Sequence, residues 1–174
     1  MGDFTRCVTF TLLPENDGQS LHVTPNDAGG ATAYGLTLPT LSVYLNRAAT
    51  LDDLRQVDPA LAALVYRRLF WDTLSGDQLP AGIDLMLFDH GVVAGWGEAA
   101  REVQGVVGVT VDGIIGPQTL TAIRARPVLG LIHRLVITQR IRYMSRPTFT
   151  EFGTGWLRRL DRRAALAMGM TDAA

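Results

Sequence analysis

Lysine is missing altogether: all 16 basic residues of this 174-residue chain are arginine. Without lysine no Gly-Lys-Ser/Thr phosphate loop can exist. A GC-rich genome is the plainer source of the all-arginine choice. Cysteine is reduced to Cys7, which excludes an internal disulfide framework and reads as a small core residue. No run of residues reaches the roughly 18–20 apolar positions that span a bilayer. The three histidines, His22, His90 and His133, show no metal-ligand spacing, so no metal is expected. Ser75, in Leu74-Ser75-Gly76, is not a nucleophile elbow. Low-complexity tracts are absent and hydrophobic content is 47%, enough for a core and against disorder. Alternating strand patterns are almost absent too, so an all-α fold is expected, with room for one small hairpin in residues 20–37.

What is present is unevenly distributed. Residues 1–120 hold 6 Arg against 14 acids, a balance of −8, and residues 121–174 hold 10 Arg against 3 acids, a balance of +7. The basic tail favours an anionic partner such as a cell-wall polymer, a lipid headgroup or a nucleic acid. It lacks the interleaved aromatics of a single-strand nucleic-acid binder, and no nucleic acid is expected. The start, Met1-Gly2-Asp3-Phe4, carries neither a basic region with a long apolar core nor a myristoylation pattern. Synthesis in the cytoplasm without a signal peptide is therefore expected.

The element pattern is helical. Asp3 caps an apolar segment that Pro14 closes. Residues 16–37 are rich in Gly, Pro, Asn and Asp and read as a long loop, of a length that often carries function. Leu38 to Asn46 reads as a short helix. Asp58-Pro59 opens a helix to about Asp72, with Leu61, Leu64, Val65, Leu69 and Phe70 on one side. A helix from Pro80 is apolar nearly all round through Phe88, the mark of a central buried element. Residues 96–107 read as helical again. Asp112-Gly113 and Gly116-Pro117 bracket a tight turn. Pro117 starts a helix to about Arg126, and Val128 another to about Met144, with Leu129, Ile132, Val136, Ile137 and Ile141 near helical spacing. Residues 149–168 read as one or two short helices.

Two carboxylates stand out against this background. Glu15 follows an apolar segment, a setting that raises a carboxyl pKa and lets it keep a proton to donate. Asp27 follows twelve residues later on the loop Pro25-Asn26-Asp27-Ala28-Gly29-Gly30, where an ionised carboxylate could orient water. Thr32 is placed to hold that water, and Gly29, Gly30 and Gly35 allow close backbone approach. Each residue has a plainer reading: Glu15 as a surface acid, Asp27 as a turn former, Thr32 as a hydroxyl bonded to its own loop. Asp89 and His90 follow the apolar stretch, with a structural hydrogen-bonding role the simpler reading for His90. Trp71 and Trp96 suit either sugar stacking or packing.

The order of the motifs is more specific than any one of them. Glu15 is followed by Pro-x-Asp-x-Gly-Gly-x-Thr-x-x-Gly-Leu-Thr, then Tyr66…Phe70-Trp71, Leu79-Pro80 and Phe88-Asp89. Val103-Gln104, Asp112-Gly113-Ile114-Ile115-Gly116-Pro117-x-Thr119-Leu120, Arg140…Tyr143 and Phe152-Gly153-x-Gly155-Trp156-Leu157 complete it. This resembles glycoside hydrolase family 108, the N-acetylmuramidases of phage endolysins and bacterial secretion-linked lysins. The resemblance implies a lysozyme-like helical fold that cleaves the β-1,4 bond of murein without a cofactor. It implies a catalytic region over 1–95 and a peptidoglycan-binding-like region over 96–174, packed as one unit. Glu15 matches the family's catalytic acid, and Asp27 and Thr32 match in role. Tyr34, Gly35, Trp71, Asp89 and His90 would line the glycan cleft. Peptidoglycan glycan strands are the implied partner of an expected monomer that reaches the periplasm or wall through a holin or another export component.

The chain departs from the family pattern at three places. Glu-Gly-Gly is replaced by Glu15-Asn16-Asp17-Gly18, the segment from Glu15 to Pro25 is about three residues longer, and Val93 stands where Asn is common. These departures leave open an alternative: a non-catalytic peptidoglycan-binding or secretion-accessory protein that retains the fold.

Overall fold

Nine successive residues of one helix, Ile83 through Gly91, are buried. This helix, α5 (Ile83–Ala94), is the axis of the molecule in a computed structural model that describes residues 1–13, 21–23 and 30–171. Its run of Ile83, Leu85, Met86, Leu87 and Phe88 has no polar stripe, so every side must be covered by another element. Helix α1 (Phe4–Thr11) covers one side, and α6 (Trp96–Val107), α8 (Val128–Met144) and α9 (Phe149–Thr171) cover the rest. The remaining helices are α2 (Leu38–Leu45), α3 (Leu51–Arg55), α4 (Pro59–Tyr66) and α7 (Pro117–Arg124). A π-helical turn, Arg67–Trp71, extends α4, and a short 3₁₀ turn spans Gly76–Gln78. Among the described residues, no helix is long and apolar enough to cross a membrane.

The all-α expectation holds, with one enlargement. Instead of a single hairpin, three short strands, β1 (His22–Val23), β2 (Ala31–Ala33) and β3 (Leu36–Thr37), form an antiparallel sheet in the order β1-β2-β3. His22 pairs with Thr32, and Thr32 with Thr37. Strands this short are set by their turns rather than by alternation, which is why periodicity does not find them.

Capping chemistry places most helix starts. The Asp3 side chain accepts the Arg6 N–H, Thr37 accepts from Thr40, and Asp58 accepts from Leu61 with Pro59 at the first turn. Thr50 and Asp53 form a reciprocal capping box on α3, a helix the hydrophobic pattern does not mark. Four expectations are corrected. The segment expected to start a helix at Pro80 makes a turn first, because Gly82 takes φ of +87° where the Ala167 carbonyl leaves no space for a Cβ. Residues 149–168 belong to one 23-residue helix, α9, since its Gly153 and Gly155 do not interrupt it. On α8 the expected apolar face is rotated: Leu131, Ile132, Leu135, Gln139 and Tyr143 face inward, while Leu129, Ile137 and Ile141 are exposed. Likewise Leu64 is exposed on α4, and Ala62, Val65 and Tyr66 are buried.

Candidate active site

Of the three residues expected to do the chemistry, Thr32 is described and Glu15 and Asp27 lie outside the described residues. Glu15 follows Thr11, the last residue of α1, by four positions, and Asp27 precedes Ala31, the first of β2, by four. The site's framework is thus the end of α1, the start of β2, and whatever holds those two in place.

Thr32 is half-buried in the centre of the sheet, while its neighbour Ala33 points into the core. Tyr34 and Gly35 follow as the two central residues of the β2–β3 turn, with φ of +52° and +76°. Both are left-handed, the requirement of a type I′ hairpin turn, and a tyrosine in that region is uncommon. The buried Tyr66 hydroxyl of α4 donates to the Tyr34 carbonyl at 2.9 Å. That bond ties the turn to the helical body and offsets the backbone cost of Tyr34.

α1 is bound to α5 by a carboxylate at each end. At its start, the Asp3 N–H donates to Asp84 Oδ2 at 2.9 Å, while Asp84 Oδ1 accepts the N–H groups of Gly82 and Leu85, each at 2.7 Å. Burial pushes the Asp84 carboxyl above its usual range, and the three backbone N–H groups act against that rise. At its end, the Thr11 hydroxyl donates to Asp89 Oδ1 at 2.9 Å.

Asp89 is also the centre of an ion cluster. Arg159 of α9 forks onto it, Nη2 to Oδ1 at 2.7 Å and Nε to Oδ2 at 3.1 Å. Arg163, one turn on, gives Nη1 to Oδ2 at 2.7 Å. Arg163 Nη2 reaches Gln139 Oε1 at 2.6 Å and the Tyr143 hydroxyl at 3.4 Å, both on α8. Burial would raise the Asp89 carboxyl, but the two guanidiniums outweigh it and hold it well below the usual carboxylate range.

His90 extends the chain of polar groups toward α6. Its Nδ1 lies 3.0 Å from the Tyr143 hydroxyl, and its Nε2 lies 2.9 Å from Glu102 Oε2. The second contact is at ion-pair distance but off the line of a hydrogen bond, so it is mainly electrostatic. Arg142 stands 3.6 Å from Glu102 Oε1 and also pairs with Glu98. Burial pushes the imidazole below its ordinary range; Glu102 opposes this, and Arg163 and Arg142 reinforce it.

These positions correct part of the expected glycan cleft. Asp89, His90 and Trp71 are each 0% exposed. Asp89 and His90 are spent on interior partners. Trp71 packs edge-on against Phe4 and Phe88 with its indole N–H on Asp77 Oδ1 at 3.0 Å. None presents a surface to a saccharide. Tyr34 and Gly35, half-buried on the hairpin, remain on the side of Thr32. The residues that sequence reasoning missed are Thr11, Tyr66, Arg159 and Arg163. A signal for the arginines was available: an acid inside an all-round apolar helix needs a counter-charge, and the surplus arginines are in the tail.

Residues 12–95 match the glycosyl hydrolase 108 family, and residues 98–161 match the family described as a predicted peptidoglycan domain. The fold is similar to the structure of Brucella abortus SagA, with a TM-score of 0.90 and 32% sequence identity over 97% of this chain and 95% of that one. No curated protein matches the chain.

Removing the Asp89 charge leaves two buried guanidiniums without their counter-ion. Asp89→Asn is expected to cost about 3–5 kcal/mol in urea unfolding, and an unchanged midpoint contradicts this assignment. The pH dependence has a definite sign. Because the folded imidazole of His90 binds a proton less readily than the unfolded one, stability falls as pH drops through the unfolded value of about 6.5. His90→Gln should flatten the stability profile between about pH 7.5 and 5, by up to about 1.4 kcal/mol per pH unit. An equal slope in both proteins contradicts the lowered proton affinity of the buried imidazole.

Proposed function

Because this chain belongs to the glycosyl hydrolase 108 family, we propose that it is a peptidoglycan hydrolase of muramidase type, cleaving the β-1,4 bond on the reducing side of N-acetylmuramic acid. The observation that carries the reading is the match of residues 12–95 to the glycosyl hydrolase 108 family, with α1 attached twice to α5 and the β2–β3 turn tethered to α4.

In this reading Glu15 is the general acid and protonates the departing glycosidic oxygen. Asp27, ionised, works with the Thr32 hydroxyl to hold the attacking water or to steady the oxocarbenium-like transition state. The two carboxyl groups must differ in ionisation at working pH, the acid keeping its proton and its partner losing it, which gives a bell-shaped rate profile. Tyr34 and Gly35, half-buried on the same hairpin, are the proposed contacts for the sugar beside Thr32. The chemistry needs no cofactor. Release to the wall through a holin-type or dedicated route, and action as a monomer, belong to the same proposal.

A second reading has its own support. The run Glu15-Asn16-Asp17-Gly18 and the longer segment behind it depart from the family's Glu-Gly-Gly, which favours a wall binder that retains the fold without turnover.

Incubation with purified peptidoglycan separates the two. The hydrolase releases muropeptides whose borohydride-reduced ends are muramitol; pelleting without release establishes the binder, and glucosaminitol ends overturn the bond assignment. Glu15→Gln is expected to lower turnover by roughly 10²–10⁴-fold with the fold intact, and wild-type turnover in that variant removes Glu15 from the role of acid.

A further inference from the structure

A groove of about 500 Å³ runs between α6 and α8, outside the site described above. Arg101, Glu102, Gly105 and Val106 line it from α6, and Arg134, Ile137 and Thr138 from α8. Each wall therefore pairs a guanidinium with a branched apolar side chain. Ile137 is 59% exposed, which the fold does not require.

The groove is electropositive because its carboxylate is already engaged. Glu102 turns its oxygens inward to His90 and Arg142, leaving none for the groove arginines. Arg101 and Arg134 are in no salt bridge with a carboxylate among the described residues. The Arg101 guanidinium lies against the loop at Gly113, so Arg134 is the freer of the two.

Gly105 leaves the groove floor uncovered. It sits inside α6, where glycine costs about 1 kcal/mol relative to alanine. A Cβ built there meets nothing within 4 Å, so packing does not demand glycine. What glycine does at this position is keep the groove floor open.

We propose that this groove binds the peptide stem of peptidoglycan through the stem's free carboxylates. The Arg134 guanidinium holds a carboxylate, as charge-assisted hydrogen bonds favour, and Arg101 adds positive charge at the groove's edge. Val106 and Ile137 receive the alanine methyl, Thr138 meets the peptide amide, and the bare backbone at Gly105 admits the chain. The inference rests on the murein-hydrolase reading and adds to it a recognition site for the cross-linked part of the same polymer. The positive balance of the second half of the chain has the sign that such a ligand needs.

The test is calorimetric titration of the full chain with the synthetic stem tripeptide L-Ala-γ-D-Glu-meso-diaminopimelate, in free-acid and fully amidated forms. The free acid should bind saturably, and the amidated form at least tenfold more weakly. Gly105→Leu fills the groove with a good helix former and should raise the melting temperature while weakening tripeptide binding at least tenfold. Arg134→Glu should abolish binding, while Arg158→Glu, the same charge change on exposed α9 surface, should leave it intact. Equal binding of acid and amide, wild-type affinity in Gly105→Leu, or equal losses in the two arginine variants overturns the proposal. Wild-type cleavage of peptide-free glycan strands, measured in parallel, keeps the two readings apart: cleavage without tripeptide binding sinks the groove alone, and binding without cleavage sinks the hydrolase reading alone.

Discussion

A single carboxylate inside an apolar helix dictates how this molecule is put together. Asp89 cannot be ionised in the interior of α5 unless positive charge comes to it, and burying it unpaired would cost several kcal/mol. Arg159 and Arg163 bring that charge from α9, about seventy residues away in sequence. The helix that carries them is thereby committed to one rotational setting against α5. The Thr11 hydroxyl takes up a remaining acceptor site on Asp89, so the end of α1 is fixed to the same point. Asp84 repeats the arrangement at the other end of α1, where backbone N–H groups take the place of arginines.

A buried ion cluster of this kind is not an efficient source of stability, since a well-packed apolar replacement often does as well or better. Its value is positional. An apolar contact between α5 and α9 could be met in several registers, whereas a forked guanidinium on a carboxylate is met in one. The network then runs through Gln139 and Tyr143 of α8 to His90 and on to Glu102 of α6. The family-matched halves, residues 12–95 and 98–161, are joined through this polar seam as well as by packing. A shift on one side is resisted by charges on the other.

Much of this was legible in the residues. The α5 core followed from five large apolar residues with no polar face, and the starts of α1 and α4 from Asp3 and Asp58 with Pro59. The bounds of α8, Val128 to Met144, came directly from its pattern. Its buried face did not, because Ile137 and Ile141 are apolar yet exposed, and Gln139 is polar yet buried on the Arg163 side chain. The same confusion led Asp89, His90 and Trp71 to be assigned to a cleft. Polar and aromatic residues beside a glycan motif look alike whether they face a sugar or one another, and only the distant arginines tell the cases apart. The three-stranded sheet was half-legible: Gly35 marked the turn, but Tyr34 in a left-handed conformation depends on the Tyr66 hydroxyl, a contact 32 residues away that no local pattern carries.

In the proposed muramidase, the Asp89 cluster sets the position of the end of α1, from which the chain runs on to Glu15, the proposed acid. Thr11→Val tests it most directly, because the substitution keeps the shape and removes only the hydroxyl that touches Asp89. Turnover of solubilised peptidoglycan glycan strands is the quantity to measure, beside the melting temperature. The account predicts kcat at least tenfold below wild type, with KM little changed and the fold still cooperative. Wild-type kcat in Thr11→Val would contradict it.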